Sequence, residues 1–405
     1  MAGGRRPGAP RPRLAWMPAT NSPHRRRGAL LFLALAATCV AVLAAVSLQR
    51  SAWQHSLAPP SGAAGQSGQA ALPLPGGRFH RGMVIETHVG EHDHPAGPRT
   101  LRTLAALGVD AVQVVPFAYQ PDIEKPELRF RDLTDRQVVF IHEAHAQGMA
   151  VLLKPHIWSR QFWGPQARWH GDLRMQSEAD WQRWFTAYRR YILHYARIAE
   201  NTGCEGFSIG LEYVQATRER PADWQALAAA VRAVYHGPIT YGANLHGEAE
   251  EITFWEDLDW IGVNVYPRLA AAPGADVDAL VRGYAPTVEL LARLAARHRR
   301  PVLITEIGFP SVRGAAIEPW AWPDGGDIVD LAEQERAYES TFRALSDQPW
   351  LAGLYFWKWP IDGTGGGPDD PEYTPLGKPA AQVLARHYRA RRAAAALVDA
   401  HSPAR

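Results

Sequence analysis

The sequence predicts an α/β chain folded as a closed (β/α)8 (TIM) barrel, preceded by a single N-terminal transmembrane helix and a flexible linker. Three observations carry this expectation. From about residue 78, short apolar runs alternate with longer stretches of helical periodicity, the pattern of βα units around a parallel sheet. Eight such runs fall within roughly 310 residues, which matches a closed barrel. No glycine-rich dinucleotide fingerprint follows the first run and no phosphate loop is present. Both absences weigh against the alternative, an open doubly wound sheet.

Taken in order, residues 1–28 form a basic tail that contains Arg25, Arg26 and Arg27. Residues 29–48 carry no charge and match the length that crosses a bilayer. Arginines before this run, with only Arg50 close behind it, orient the tail to the cytoplasm and export the rest. A signal-anchor is the expectation; a cleaved signal peptide is the alternative, since small residues end the run. Residues 49–77, rich in Pro, Gly, Ser and Ala, read as a tether. Residues 78–392 are expected to form the barrel domain and 393–405 a flexible tail.

The expected strands are 81–87, 110–116, 149–155, 206–212, 238–244, 260–266, 301–306 and 351–359. The helices between them include 134–147, 177–202, 222–235, 277–297, 330–346 and 378–392. Composition agrees with a globular enzyme: of 405 residues, 46% are hydrophobic and 21% charged, with net charge +2. Nothing forms a basic groove for nucleic acid. The two cysteines, Cys39 and Cys204, lie in different parts of the chain and build no disulfide framework.

In a barrel of this kind the site forms where strands end at the C-terminal face, and side chains alternate between interior and helix layer. In the fourth strand the bulky set Phe207, Ile209 and Leu211 is expected outside. The small set Gly206, Ser208 and Gly210 then faces inward and ends in Glu212. In the seventh, the parity of Val302 and Ile304 carries Glu306. In the eighth, Lys358 is costly inside a barrel, so Tyr355, Trp357 and Trp359 are assigned to the interior and pocket. The same counting gives Asn264 and Tyr266, Thr240 and Asn244, Lys154 and His156, and Glu86 and His88. Two carboxylates thus close strands four and seven, across the mouth from one another. Retaining glycoside hydrolysis needs two carboxyl groups about 5–5.5 Å apart, one a nucleophile and one an acid/base. Fifteen tryptophans add apolar platforms for sugar faces. Trp158, Trp163, Trp169, Trp320 and Trp322 fall in expected loops after strands three and seven, while Trp181, Trp184 and Trp224 fit helix packing. Loops 309–327 and 362–373 are candidate walls of a cleft.

The segments "GFSIGLEYVQAT", "WIGVNVYP", "PVLITEIGFPSVRGAAIEPW" and "GLYFWKWP" resemble the clan of retaining (β/α)8 glycoside hydrolases. Within it they are most similar to the glycoside hydrolase family 113 β-mannanase group. The resemblance implies Glu212 as acid/base and Glu306 as nucleophile, with Tyr266 and Trp357 as the clan's strand-six tyrosine and strand-eight aromatic. Lys154, His156, Asn244 and Glu86 are further candidates for hydroxyl recognition. It implies an oligo- or polysaccharide substrate and no cofactor or metal. One position departs: where the group has Gly-Thr-Glu, this chain has Gly210, Leu211, Glu212.

Two other readings compete. Leu211 favours a non-catalytic carbohydrate-binding or scaffolding barrel at the cell surface, since a barrel does not guarantee chemistry. His88, His92, Asp93 and His94, with His156, offer donors for a metal-dependent hydrolase, although no matching histidines end strands five and six.

Overall fold

The computed structural model describes residues 72–87, 92–131, 134–162 and 168–401. The expected membrane span 29–48 lies outside them. Among the described residues no helix is long and apolar enough to cross a membrane. The strands are β1 (His80–Glu86), β2 (Ala111–Val114), β3 (Phe117–Tyr119), β4 (Ala150–Leu153), β5 (His156–Trp158), β6 (Gly206–Leu211), β7 (Ile239–Asn244), β8 (Ile261–Val265), β9 (Val302–Ile307) and β10 (Leu351–Pro360). Eight of them close the expected barrel in the order β1-β2-β4-β6-β7-β8-β9-β10. Strands β3 and β5 form a separate two-stranded parallel pair. Each follows directly after a barrel strand, so the pair prolongs β2 and β4 beyond the C-terminal rim.

The helices form where periodicity and end signals agree. Glu178–Thr202 starts at Ser177, whose hydroxyl accepts from the Asp180 N–H, and stops at Gly203 with φ 73°. Expected helix 277–297 divides into Val277–Gly283 and Ala285–His298. Pro286 lacks the N–H that an unbroken helix requires, and it fits the first turn of the second piece. Pro221 likewise opens Pro221–Arg232, just after a short helix at Val214–Glu219. Helix Gly97–Ala106 lies between β1 and β2. The last helix runs Pro379–His401, so the chain stays helical across most of the stretch expected as a flexible tail from 393.

The barrel interior has an apolar floor. Val84, Ala111, Ala150, Leu152, Trp260, Leu303 and Tyr355 are buried together there. Tyr355 fills the space above Gly82, where a Cβ would come 2.3 Å from its ring. His80 Nδ1 meets Tyr355 Oη at 2.7 Å, and burial pushes the imidazole down to about 4, so it stays neutral. Trp181, Trp184 and Trp224 pack in the outer core, as expected.

Simple alternation fails at three strands. On β6 the register slips between Ser208 and Leu211, and Gly210 faces outward: a Cβ there would meet Trp224 and Tyr241. On β9 it slips against both neighbours, and Val302 and Ile304 belong to the helix-side core while Leu303 points inward. On β10 the register against β1 slips between Phe356 and Trp359, and Trp359 packs in the outer core rather than the pocket. Irregularities of this kind re-aim side chains beside active sites.

Candidate active site

Above the apolar floor the interior turns polar. Glu306, near the end of β9, is buried with Lys154, which follows β4. Lys154 Nζ donates to Glu306 Oε1 at 2.7 Å and to Asn264 Oδ1 at 3.2 Å. Thr305 Oγ1 donates to the same amide oxygen at 2.7 Å. Gly242 leaves the room: a Cβ there would lie 3.1 Å from Lys154 Cε and from Thr305 Oγ1. Tyr266 Oη donates to the other oxygen, Glu306 Oε2, at 3.2 Å. A buried carboxylate is costly alone; here a cation and a phenol pair with its two oxygens. Lys154, expected to read substrate hydroxyls, is committed to the Glu306 carboxylate instead.

Glu212 follows β6 in a left-handed backbone, φ 43°. That conformation costs a residue with a Cβ on the order of 1–2 kcal/mol. Two bonds hold the turn: Glu212 N–H to Gly242 O at 2.9 Å, and Tyr213 N–H to Tyr241 Oη at 2.7 Å. Asn244 Nδ2 donates to Glu212 Oε1 at 3.1 Å. Burial and then the nearby Glu306 charge push the Glu212 carboxyl up to about 7, against the pull of Asn244, Lys154 and Asn264. The two glutamates therefore differ in setting: one is paired to a cation, the other retains a proton near neutral pH. Leu211, the departure noted above, is buried in the helix-side core. Its apolar side chain satisfies packing, and Asn244 on the next strand supplies a polar partner to Glu212.

The β10 and β1 ends form one side of the mouth. Trp357 is half-buried against the interior cluster. Lys358, expected away from the pocket, reaches Glu86 Oε1 at 2.5 Å and lies 3.8 Å from Glu372. Its ammonium stands 4.6 Å from the Trp322 ring centre and 5.9 Å from that of Trp357. Sequence reasoning missed Lys358 and Glu372; the rule that a charge avoids the interior hid the first, and no strand signal marks the second. The expected walls are tied together. Tyr373 Oη donates to Pro319 O at 2.8 Å, Ser311 Oγ to Asp370 O at 2.7 Å, and Trp322 packs edge-on to Tyr373. Trp320 and Trp322 remain exposed on that wall.

Across the mouth, β3 and β5 present Tyr119 against Trp158, with ring centres 5.6 Å apart. His156 is buried on β5, edge-on to Phe117 at 5.5 Å, and burial with the Lys154 charge pushes its imidazole well down. His92 is buried against Phe140, and His94 Nδ1 accepts from the Ala96 N–H at 3.3 Å. Asp93 pairs with Arg136. Among the described residues no group of three His, Cys, Asp or Glu side chains is placed to hold a metal ion. His88 and Trp163 lie outside the described residues.

The family model described as Glycoside Hydrolase Family 113 matches residues 83–378. The family 113 β-mannanase AaManA of Alicyclobacillus acidocaldarius, solved with ManMIm, is 30% identical over 77% of this chain and 98% of its own, with TM-score 0.68. Two structures of a family 113 β-1,4-mannanase, one of them a complex, are 27% and 26% identical over 78% of this chain and 100% of theirs, with TM-scores 0.67 and 0.68. Among curated proteins none matches the chain. The chain thus belongs to glycoside hydrolase family 113 and is a retaining glycoside hydrolase.

Proposed function

We propose that the chain hydrolyses β-linked glycans of the mannan type by double displacement, with Glu306 as nucleophile and Glu212 as acid/base. The observation that carries the reading is the contrast between the two carboxyls. Glu306, held by Lys154 and Tyr266, suits attack on the anomeric carbon. Glu212, raised to about 7, suits proton donation to the leaving oxygen and then activation of water. Trp357 forms the floor beneath the sugar, and Glu86, with Lys358, reads hydroxyls beside it. Asn244 orients Glu212, and His156 supports the wall at Phe117. The mannan assignment draws on the relatives, which are β-mannanases.

The test uses azide with an activated aryl glycoside. In Glu212→Ala, azide attacks the glycosyl-enzyme and gives net retention; in Glu306→Ala it replaces the carboxylate and gives inversion. Swapped configurations reverse the roles, and wild-type activity in both variants ends the mechanism. We also propose that residues 29–48 hold the barrel at the extracytoplasmic face of a membrane. The support is the uncharged run with arginines before it. Fractionation with protease protection tests this; a mature soluble form starting near residue 50 would remove the anchor.

A further inference from the structure

A third carboxyl group lies beside the pair. Glu248, in the segment after β7, is fully buried. Its Oε1 is met by Tyr241 Oη at 2.8 Å and Thr217 Oγ1 at 3.0 Å, and its Oε2 by the Asn244 N–H at 2.7 Å. Each partner leads to Glu212. Tyr241 Oη also accepts the N–H of Tyr213, the residue after Glu212. Asn244 carries the amide that donates to Glu212 Oε1. Thr217 belongs to the helix Val214–Glu219, which begins two residues past Glu212.

We infer that Glu248 is a positioning residue for the acid/base: it secures Glu212 from two sides, through Tyr241 to the backbone just beyond it and through Asn244 to its carboxyl oxygen. The inference rests on the role proposed for Glu212. Packing alone does not account for the residue, because a buried carboxyl costs more than a hydrophobe of equal volume. Its two oxygens join three chain segments: the turn and helix after Glu212, strand β7 and the loop that follows. The backbone it braces includes a left-handed glutamate, which persists only where its surroundings fix it. Burial pushes Glu248 up to about 8, so at neutral pH it is largely a neutral acid. Thr217 Oγ1, which lies 3.1 Å from Val214 O, can then take the acid's proton in a hydrogen bond and pass its own to that carbonyl. Glu248 thus braces Glu212 without adding a full negative charge beside it.

The experiment compares kcat/KM on two substrates with the same sugar: an unactivated oligosaccharide, whose departure needs the acid, and a dinitrophenyl glycoside, whose departure does not. Glu248→Ala is expected to lose about a hundredfold on the first and about threefold or less on the second, since general-acid help is worth 10²–10⁴. Glu248→Gln, whose oxygen still accepts from the Asn244 N–H and whose amide still donates to Thr217 but turns an N–H where Tyr241 needs an acceptor, should recover only part of that loss, about threefold. Tyr241→Phe keeps the ring, removes the hydroxyl that joins Glu248 to the Tyr213 N–H, leaves the Asn244 link in place, and should show the same selectivity at about tenfold; it carries the test if the alanine variant does not fold. Equal losses on both substrates would mean general damage and overturn the inference. If Glu212→Ala is selective for the oligosaccharide while the Glu248 and Tyr241 variants are not, only the role of Glu248 falls. If Glu212→Ala loses both substrates equally, the acid/base assignment falls and this inference with it.

Discussion

Replacing Asn244 with leucine removes the amide donor 3.1 Å from Glu212 Oε1 while keeping the side-chain volume and leaving the backbone bond to Glu248 in place. A hydrogen bond to a charged group is worth roughly 1.5–3 kcal/mol. Glu212 and Asn244 are half-buried, so solvent screening favours the lower end. About 1.4 kcal/mol corresponds to one pH unit. The sign follows from which form the donor favours. Asn244 stabilises the charged carboxylate, so its loss lets Glu212 keep its proton to higher pH; leucine also displaces water, which acts the same way. The alkaline limb of kcat/KM on an unactivated oligosaccharide, expected near pH 7 in the native enzyme, should move up by about one unit. Lost substrate contacts would lower the whole profile and leave the limb in place. An unmoved limb, or one shifted to lower pH, would refute the claim that this amide tunes the acid.

Lys154→Met leaves the Glu306 carboxylate buried without its cation. It should destabilise the chain by about 3–5 kcal/mol, read as a fall in Tm, and lower activity; an unchanged Tm would mean the pair is solvated. Glu248 is raised in the folded chain to about 8, against about 4.5 when unfolded. Its contribution to stability is therefore complete below about pH 4.5 and is lost as pH rises towards 8, at up to about 1.4 kcal/mol per unit. Glu248→Gln should flatten the decline of Tm between pH 5 and 8, and parallel declines would show that Glu248 titrates normally. Gly82→Ala places a Cβ 2.3 Å from the Tyr355 ring. Overpacking of the barrel floor should cost about 1–3 kcal/mol in urea unfolding, and a neutral effect would show that Tyr355 is free to shift.

The barrel was legible because parallel strands buried on both faces read as plain apolar runs, and all eight lie within a few residues of their expected bounds. The ends of those runs also located Glu212, Glu306, Tyr266 and Trp357 at the mouth. Facing was less legible. Counting by twos reached Glu306 through Val302 and Ile304, both of which point outward; the register slip on β9 brings the glutamate back to the mouth. Gly210 and Trp359 were misplaced for the same reason, since a slip reverses the alternation and leaves no mark in composition. Lys358 was turned away from the pocket because an isolated charge there is costly, and its partners Glu86 and Glu372 come from distant parts of the chain. Glu248 gave no signal, because its value lies in long-range bonds to Tyr241, Thr217 and Asn244.

The clasp between the two wall loops constrains how such an enzyme can diversify. Lys378 is fully buried, and its ammonium is shared by Ser311 Oγ at 2.7 Å, Asp370 Oδ1 at 2.9 Å and Glu372 O at 2.7 Å. Grafting a 309–327 loop that lacks a serine at 311 strips one partner from that cation; grafting a 362–373 loop that lacks an acid at 370 strips another. Either exchange leaves a buried charge short of partners, a penalty of several kcal/mol that a new sugar contact rarely repays. The two loops and Lys378 therefore behave as one heritable cassette, and recombination that alters the cleft has to carry all three together.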